Sequence, residues 1–454
     1  MANDSTPEKL LVSGSCLMLN SRQQDSIKNG GVVISGDSII AVGTRTELRE
    51  HYPAAPELHE PHGLLMPGLV NTHTHASMTC FRTLADDRTP RQWCLEQGLP
   101  LESNLPREMV YQWARLIIAE MIKSGTTSFC DTSFFSREVV RAAAEAGIRS
   151  WIGETSYDIP SLSPAAREDS FLRIRELMGE YSDHPLVTIT AAPRGISRCS
   201  PELLKQSKAS AEANNSFWII NLPETKDEAQ SCLKRCGRTA VQHLDGLGLL
   251  NKRTLAAHCL HLEPADIELL ARREVKVSIC QDANMKRGSG SADVARLLAC
   301  GITVSIGTDS GATGNDADLF SEMSGLAKAQ KAAAMDPTVM DAETTLRLAT
   351  EGGASALGAI DHIGGLAIGK KADLIVLDLK QPHLTPLYNI PSHLVYAARG
   401  ADVLHSIING RIVMKDRRLL TLNESDIIAA VKGLSDRYLH FKESAVPGTV
   451  PDSK

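Results

Sequence analysis

Two histidines one residue apart, His73 and His75, close the apolar run LLMPGLVNTHTHA from Leu64 to Ala76. Side chains alternate faces along a strand, so a His-x-His pair at a strand end aims both imidazoles into one space. Imidazole suits zinc, iron or nickel, and an open catalytic site needs further ligands from elsewhere in the fold. Candidates recur at the ends of later apolar runs: Arg194 in VTITAAPRG, Asn221 and Glu224 in FWIINLPET, His258 in TLAAHCLHL, Ile279 and Asp282 in VKVSICQDAN, and Asp309 in TVSIGTDSG. Taken singly, Glu224 could cap a helix starting near Lys226, and Asp309 could form an Asx turn before Gly311. Their joint occurrence at successive strand ends is much harder to explain as capping.

Such residues need a scaffold that gathers strand ends. From about residue 66 to about residue 365, strands such as TTSFCDT and IRSWIGETSYD alternate with helices such as EMVYQWARLIIAEMIKSG and SREVVRAAAEAG, giving eight strands in all. That alternation predicts a closed (β/α)8 TIM-like barrel of the α/β class, with its chemistry where strands pass into the following loops. Residues 1–65 and 366–454 have a different texture of short β-branched runs, with Asn409-Gly410 as a hairpin signal. The two flanks are expected to pair into one small β-sandwich domain that brings the chain ends together.

Composition narrows the partners. A net charge of -6 over 454 residues, without a long run of like charge, gives no electrostatic footprint for nucleic acid. The N-terminal MANDSTPEKLLVSG lacks a basic region before an apolar core, and no stretch of about 18 apolar residues occurs. The expectation is a soluble cytoplasmic protein that meets neither nucleic acid nor membrane. Ten scattered cysteines, with one C-x3-C at Cys232 and Cys236, indicate neither a disulfide framework nor a structural zinc module. Cys259 and Cys280 directly follow His258 and Ile279; if those neighbours enter the barrel mouth, alternation turns both sulfurs outward.

The segments PGLVNTHTHASMTCFRTLADD, AAHCLHL, the NMK of DANMKRGSG, VSIGTDSGATGNDADLF and GKKADLIVLDLKQPHLTPLYN resemble the amidohydrolase superfamily. Within it they are most similar to the 5-methylthioadenosine/S-adenosylhomocysteine deaminases and related chlorohydrolase-type enzymes, over about residues 8 to 435. The resemblance implies one divalent metal ion, zinc or iron, held by His73, His75 and Asp309. It implies catalytic roles for Glu224, which would pass a proton to the purine ring nitrogen, for His258 beside the attacking water, and for Asp309 as acceptor of the water's proton. Glu102, after Trp93 and Pro100, falls where the family holds the ribose hydroxyls. The implied reaction is hydrolytic deamination of a small molecule, an adenine-type nucleoside, by a homo-oligomer.

Three positions depart from the family pattern. Asn221 stands where a histidine ligand precedes the glutamate by three residues; its carboxamide oxygen would be a weaker metal donor than imidazole. In Ala192-Pro193-Arg194 a permanent cation replaces a histidine, so Arg194 would bind a carboxylate or phosphate of the substrate, unless it pairs internally with Glu224 or Asp282. Ile279 puts an alkyl group where the seventh strand carries a histidine. Beside the deaminase, two alternatives therefore stand: a catalytically impaired relative acting as a binding or assembly protein, and a hydrolase of another N-heterocycle.

Overall fold

The computed structural model describes residues 8–84, 86–89, 105–158 and 170–445, with side chains as far as residue 435. Glu102, expected at the ribose hydroxyls, lies outside the described residues. The N-terminal flank forms β1 (Lys9–Met18), β2 (Ser26–Lys28), β3 (Gly30–Ser35), β4 (Ser38–Thr44) and β5 (Glu57–Pro67). Eight strands then alternate with helices: β6 (Leu69–Thr74), β7 (Thr126–Ser133), β8 (Arg149–Ser156), β9 (Val187–Pro193), β10 (Trp218–Asn221), β11 (Thr254–Ala257), β12 (Lys276–Ile279) and β13 (Val304–Ile306). The C-terminal flank adds β14 (Leu374–Asp378), β15 (Val403–Ile408), β16 (Arg411–Lys415) and β17 (Arg418–Leu419).

Strands β6 to β13 make one parallel sheet in chain order. It curls until its edges meet: the Asp309 N–H donates to the His73 carbonyl at 3.0 Å, and Thr308 N–H donates to Asn71 Oδ1 at 3.1 Å. Inside, Thr72 Oγ1 lies 2.7 Å from Ser278 Oγ and 2.8 Å from Ser305 Oγ, a hydroxyl layer that ties β6 to β12 and β13. Deeper inside, Val70, Trp151, Ile219 and Leu255 pack against Ala354 and Leu357. The barrel is thus a packed core whose chemistry is confined to its mouth.

Gly307 shows how tight the closure is. A Cβ there would come within 2.8 Å of the His73 N, Cβ and O atoms. Gly307→Ala is therefore expected to push β6 away from β13, costing about 1–3 kcal/mol by overpacking and displacing His73. Denaturant unfolding should show the lower stability as an earlier midpoint with an unchanged slope.

The expected small β domain is one continuous mixed sheet, ordered β17-β16-β15-β14-β5-β1-β3-β4 with β2 beside β1. The two flanks meet where β5 pairs antiparallel with β14, Leu64 opposite Leu377 and Met66 opposite Ile375. The hairpin signal holds: Asn409 (φ 52) and Gly410 (φ 78) form the two-residue turn between β15 and β16 in the left-handed conformation such turns require. Among the described residues the cysteines are free thiols, and no helix is long and apolar enough to cross a membrane.

Candidate active site

The barrel mouth is built from strand ends that leave regular geometry where the side chains matter. The β6–β7 ladder shifts register between Asn71 and Thr74, and the His73 and His75 rings stand 4.9 Å apart and nearly perpendicular. His75 Nδ1 is committed to the Thr132 carbonyl, which leaves Nε2 facing the mouth, 3.5 Å from Asp309 Oδ1. Behind the pair, the buried Asp131 accepts from the Ala76 N–H at 2.6 Å and from Thr74 Oγ1 at 2.9 Å, fixing the chain as it leaves the strand.

His258 reaches the mouth through a backbone exception. Ala256 packs in the layer between barrel and helices, and strict alternation would send His258 the same way. His258 instead adopts φ 66, and its ring lies 5.3 Å from that of His73. Its Nδ1 sits 3.1 Å from Asn284 Oδ1, and Nε2 lies 3.7 Å from Glu224 Oε1. Asp309 is likewise left-handed, φ 59. Non-glycine residues held in this region cost on the order of 1–3 kcal/mol each and cluster at functional sites.

On β12 the sequence-based expectation is reversed. Ser278 points inward to Thr72, whereas Val277 and Ile279 pack with the helices. Ile279 therefore contributes nothing to the pocket, and alternation from Ser278 turns Cys280 inward. Its sulfur lies within 4.8 Å of ring nitrogens of His73 and His258. The alternation rule was sound; the assumed direction of Ile279 was not. Burial, then the Asp309 and Glu322 carboxylates, push the Cys280 thiol well above its ordinary range. The helix Gln281–Lys286 that follows is anchored by buried Glu322, which accepts from the Gln281 and Asp282 N–H groups. Asp282 itself accepts from Ser321 Oγ at 3.1 Å, on the helix Leu319–Ala334.

Asn221 and Glu224 act as a pair. Asn221 Nδ2 donates to Glu224 Oε1 at 3.0 Å, so the carboxamide holds the acid. The helix Lys226–Cys236 is capped by Thr225, not by Glu224. The arginine that engages Glu224 is Arg287, at 2.6 Å, and not Arg194. Arg194 follows β9, with its guanidinium carbon 5.6 Å from the centre of the Phe134 ring. Burial alone would raise the Glu224 carboxyl, but His258 and Arg287 hold it well below the usual carboxylate range. Sequence reasoning missed Arg287 although it directly follows the NMK that carried part of the resemblance, because nothing in the sequence marks it as facing Glu224.

These groups suit a divalent cation. His73 is fully buried with no hydrogen bond to either ring nitrogen, and His258 Nε2 also lacks a hydrogen-bond partner. Burial, then repulsion from His75 and His258, keeps His73 neutral by lowering its pKa well below the ordinary value, and the neutral imidazole is the metal-binding form. Two ligand-spaced triads share His73: His73, His75 and Asp309, and His73, His258 and Cys280, each with donor atoms within 4.8 Å of one another.

Comparison with known proteins agrees with this geometry. Residues 64–413 match the model of the amidohydrolase family, and residues 30–55 match an imidazolonepropionase-like composite domain of bacteria. The chain is 44% identical over 430 residues to the 5-methylthioadenosine/S-adenosylhomocysteine deaminase of Syntrophobacter fumaroxidans, covering 94% of this chain and 98% of that protein. It is 42% identical over 367 residues to the 5'-deoxyadenosine deaminase of Methanothermobacter thermautotrophicus, covering 80% and 85%. A zinc-bound adenosine deaminase from Xanthomonas campestris superposes with a TM-score of 0.91 at 32% identity, over 95% of this chain and 98% of that one.

Proposed function

Because the chain belongs to the amidohydrolase family, whose members hydrolyse C–N bonds with a divalent metal ion, we propose that it deaminates an adenine nucleoside modified at its 5' position, of the 5-methylthioadenosine, S-adenosylhomocysteine or 5'-deoxyadenosine kind. The observation that carries this is the pair of donor triads sharing the buried, unpartnered His73 at the barrel mouth, with an ionised Glu224 beside them. The relatives whose names specify these substrates match at 44% and 42% identity. A binding or assembly protein has no support from the comparisons.

In this reading His73, His75 and Asp309 hold zinc or iron, which when bound lowers the pKa of water enough to supply the nucleophile at neutral pH. Asp309 accepts a proton from the attacking water. Glu224, ionised at rest, takes up a proton and delivers it to the purine ring nitrogen as the new C–O bond forms at the amino-bearing carbon. His258, its Nδ1 set against Asn284, presents Nε2 to the same space and orients the water. As the tetrahedral carbon collapses, its hydroxyl proton returns to Glu224, the proton held by Asp309 passes to the amino nitrogen, and the C–N bond breaks to release ammonia. Arg287 is the fixed counter-charge that keeps Glu224 in place between turnovers. Arg194, which stands where the family pattern has a histidine, would favour a substrate with an anionic group such as the carboxylate of S-adenosylhomocysteine.

An ammonia-release screen tests the proposal: 5'-modified adenosines should be turned over, pterins and chlorotriazines should not. Dechlorination of a triazine in preference to any nucleoside would replace the proposal with the other hydrolase. Asn221 has its own expected result. Since its amide is spent on Glu224, Asn221→Ala should lower turnover roughly tenfold by loosening the acid, while metal content stays unchanged. A fall in metal content instead would make Asn221 a ligand.

A further inference from the structure

We propose that Cys280 is a ligand of the metal centre, supplying through sulfur the donor that Asn221 does not; this rests on the metal-dependent reading above. The family resemblance leaves a gap on the fifth strand, where Asn221 is turned to Glu224. Two strands away, β12 ends one residue before Cys280, and the inward direction set by Ser278 brings the sulfur into the mouth. Cys280, His73 and His258 are 0%, 0% and 1% exposed, and their donor atoms lie within 4.8 Å of one another. Neither nitrogen of His73 has a hydrogen-bond partner, and the only carboxylate within 4 Å of His258 Nε2 among the described residues is Glu224, 3.7 Å away. The sulfur therefore stands beside His73, the donor that both triads share, with His258 Nε2 facing the same space. A cysteine serving only as packing does not need imidazole nitrogens without hydrogen bonds beside it.

The geometry around the sulfur is held from outside the site. Cys280 begins the turn into the helix Gln281–Lys286, whose first N–H groups are fixed by buried Glu322, and His258 is fixed by Asn284 from the same helix. One short element therefore sets both the thiol and the second imidazole. On binding, the S–H proton passes to solvent as the metal–sulfur bond forms. A thiolate among imidazoles makes the site softer than a histidine-carboxylate set, so zinc should be favoured over manganese.

The experiment uses the full chain stripped by chelation and reloaded with one equivalent of cobalt(II) or zinc. Cobalt-loaded wild type should show an intense near-ultraviolet sulfur-to-cobalt charge-transfer band, and X-ray absorption of the zinc form should show a sulfur shell at about 2.3 Å. Cys280→Ser should abolish both, keep its circular dichroism, and bind zinc at least about tenfold more weakly. Cobalt bound with no charge-transfer band, or a band that survives in Cys280→Ser, overturns the assignment of Cys280 and leaves the deaminase reading standing. Failure to bind cobalt or zinc at all overturns both. Should Cys280→Ser not fold, the wild-type sulfur shell decides alone.

Discussion

His73→Ala is expected to yield a folded protein that retains no metal ion and has no measurable deaminase activity. His73 belongs to both donor triads, so its loss dismantles both together. The fold should survive, because the wild-type ring is buried with neither nitrogen hydrogen-bonded, a condition that itself costs about 1–3 kcal/mol in the metal-free state. That relief offsets part of the cavity left by the ring. The difference between the proteins should appear on adding metal: zinc at about 1,000 times its Kd stabilises a one-site protein by about 4 kcal/mol, which wild type should gain and His73→Ala should not. Thermal melts with and without zinc, beside metal analysis, check this. A variant that binds metal like wild type would remove His73 from the centre.

Glu224→Gln should cut kcat by about 10²–10⁴-fold, the usual contribution of a positioned proton-transfer group, while leaving metal content at the wild-type level. Glu224 is in neither triad, and glutamine still offers an oxygen to Asn221 Nδ2. What it cannot do is take up and deliver a proton, or neutralise Arg287. KM should change much less than kcat, since the proton is delivered as the tetrahedral carbon forms. Steady-state kinetics with metal analysis separates this from a ligand role, in which metal and activity would fall together.

The barrel and the group of residues at its mouth were legible because both follow from periodicity. Eight strand-helix alternations specify a closed parallel sheet, and His73, His75, Glu224, His258 and Asp309 follow or end the predicted strands. The pairing of the flanks was legible in kind, since each end carries strands that would otherwise be left as open edges. What the sequence concealed was direction. Period-two alternation says which residues share a face but not which face is inside, and on β12 the wrong choice exchanged Ile279 with Cys280. Only Ser278, hydrogen-bonded to Thr72 across the interior, settles it. At β11 alternation itself fails, because the left-handed backbone of His258 redirects its ring. Arg287 was hidden for another reason: it reaches Glu224 from just past the end of a helix, 63 residues further along the chain, and a long-range ion pair leaves no local pattern.

The proposed hydrolytic deamination depends on a metal held at this mouth. The most direct measurement is a titration of chelator-stripped protein with zinc while ammonia release from 5'-deoxyadenosine and 5-methylthioadenosine is followed. Activity should be absent at the start, rise in proportion to added zinc, and break at about one ion per chain. Full turnover by metal-free protein, or one tightly bound ion with no ammonia from any 5'-modified adenosine, would contradict the account.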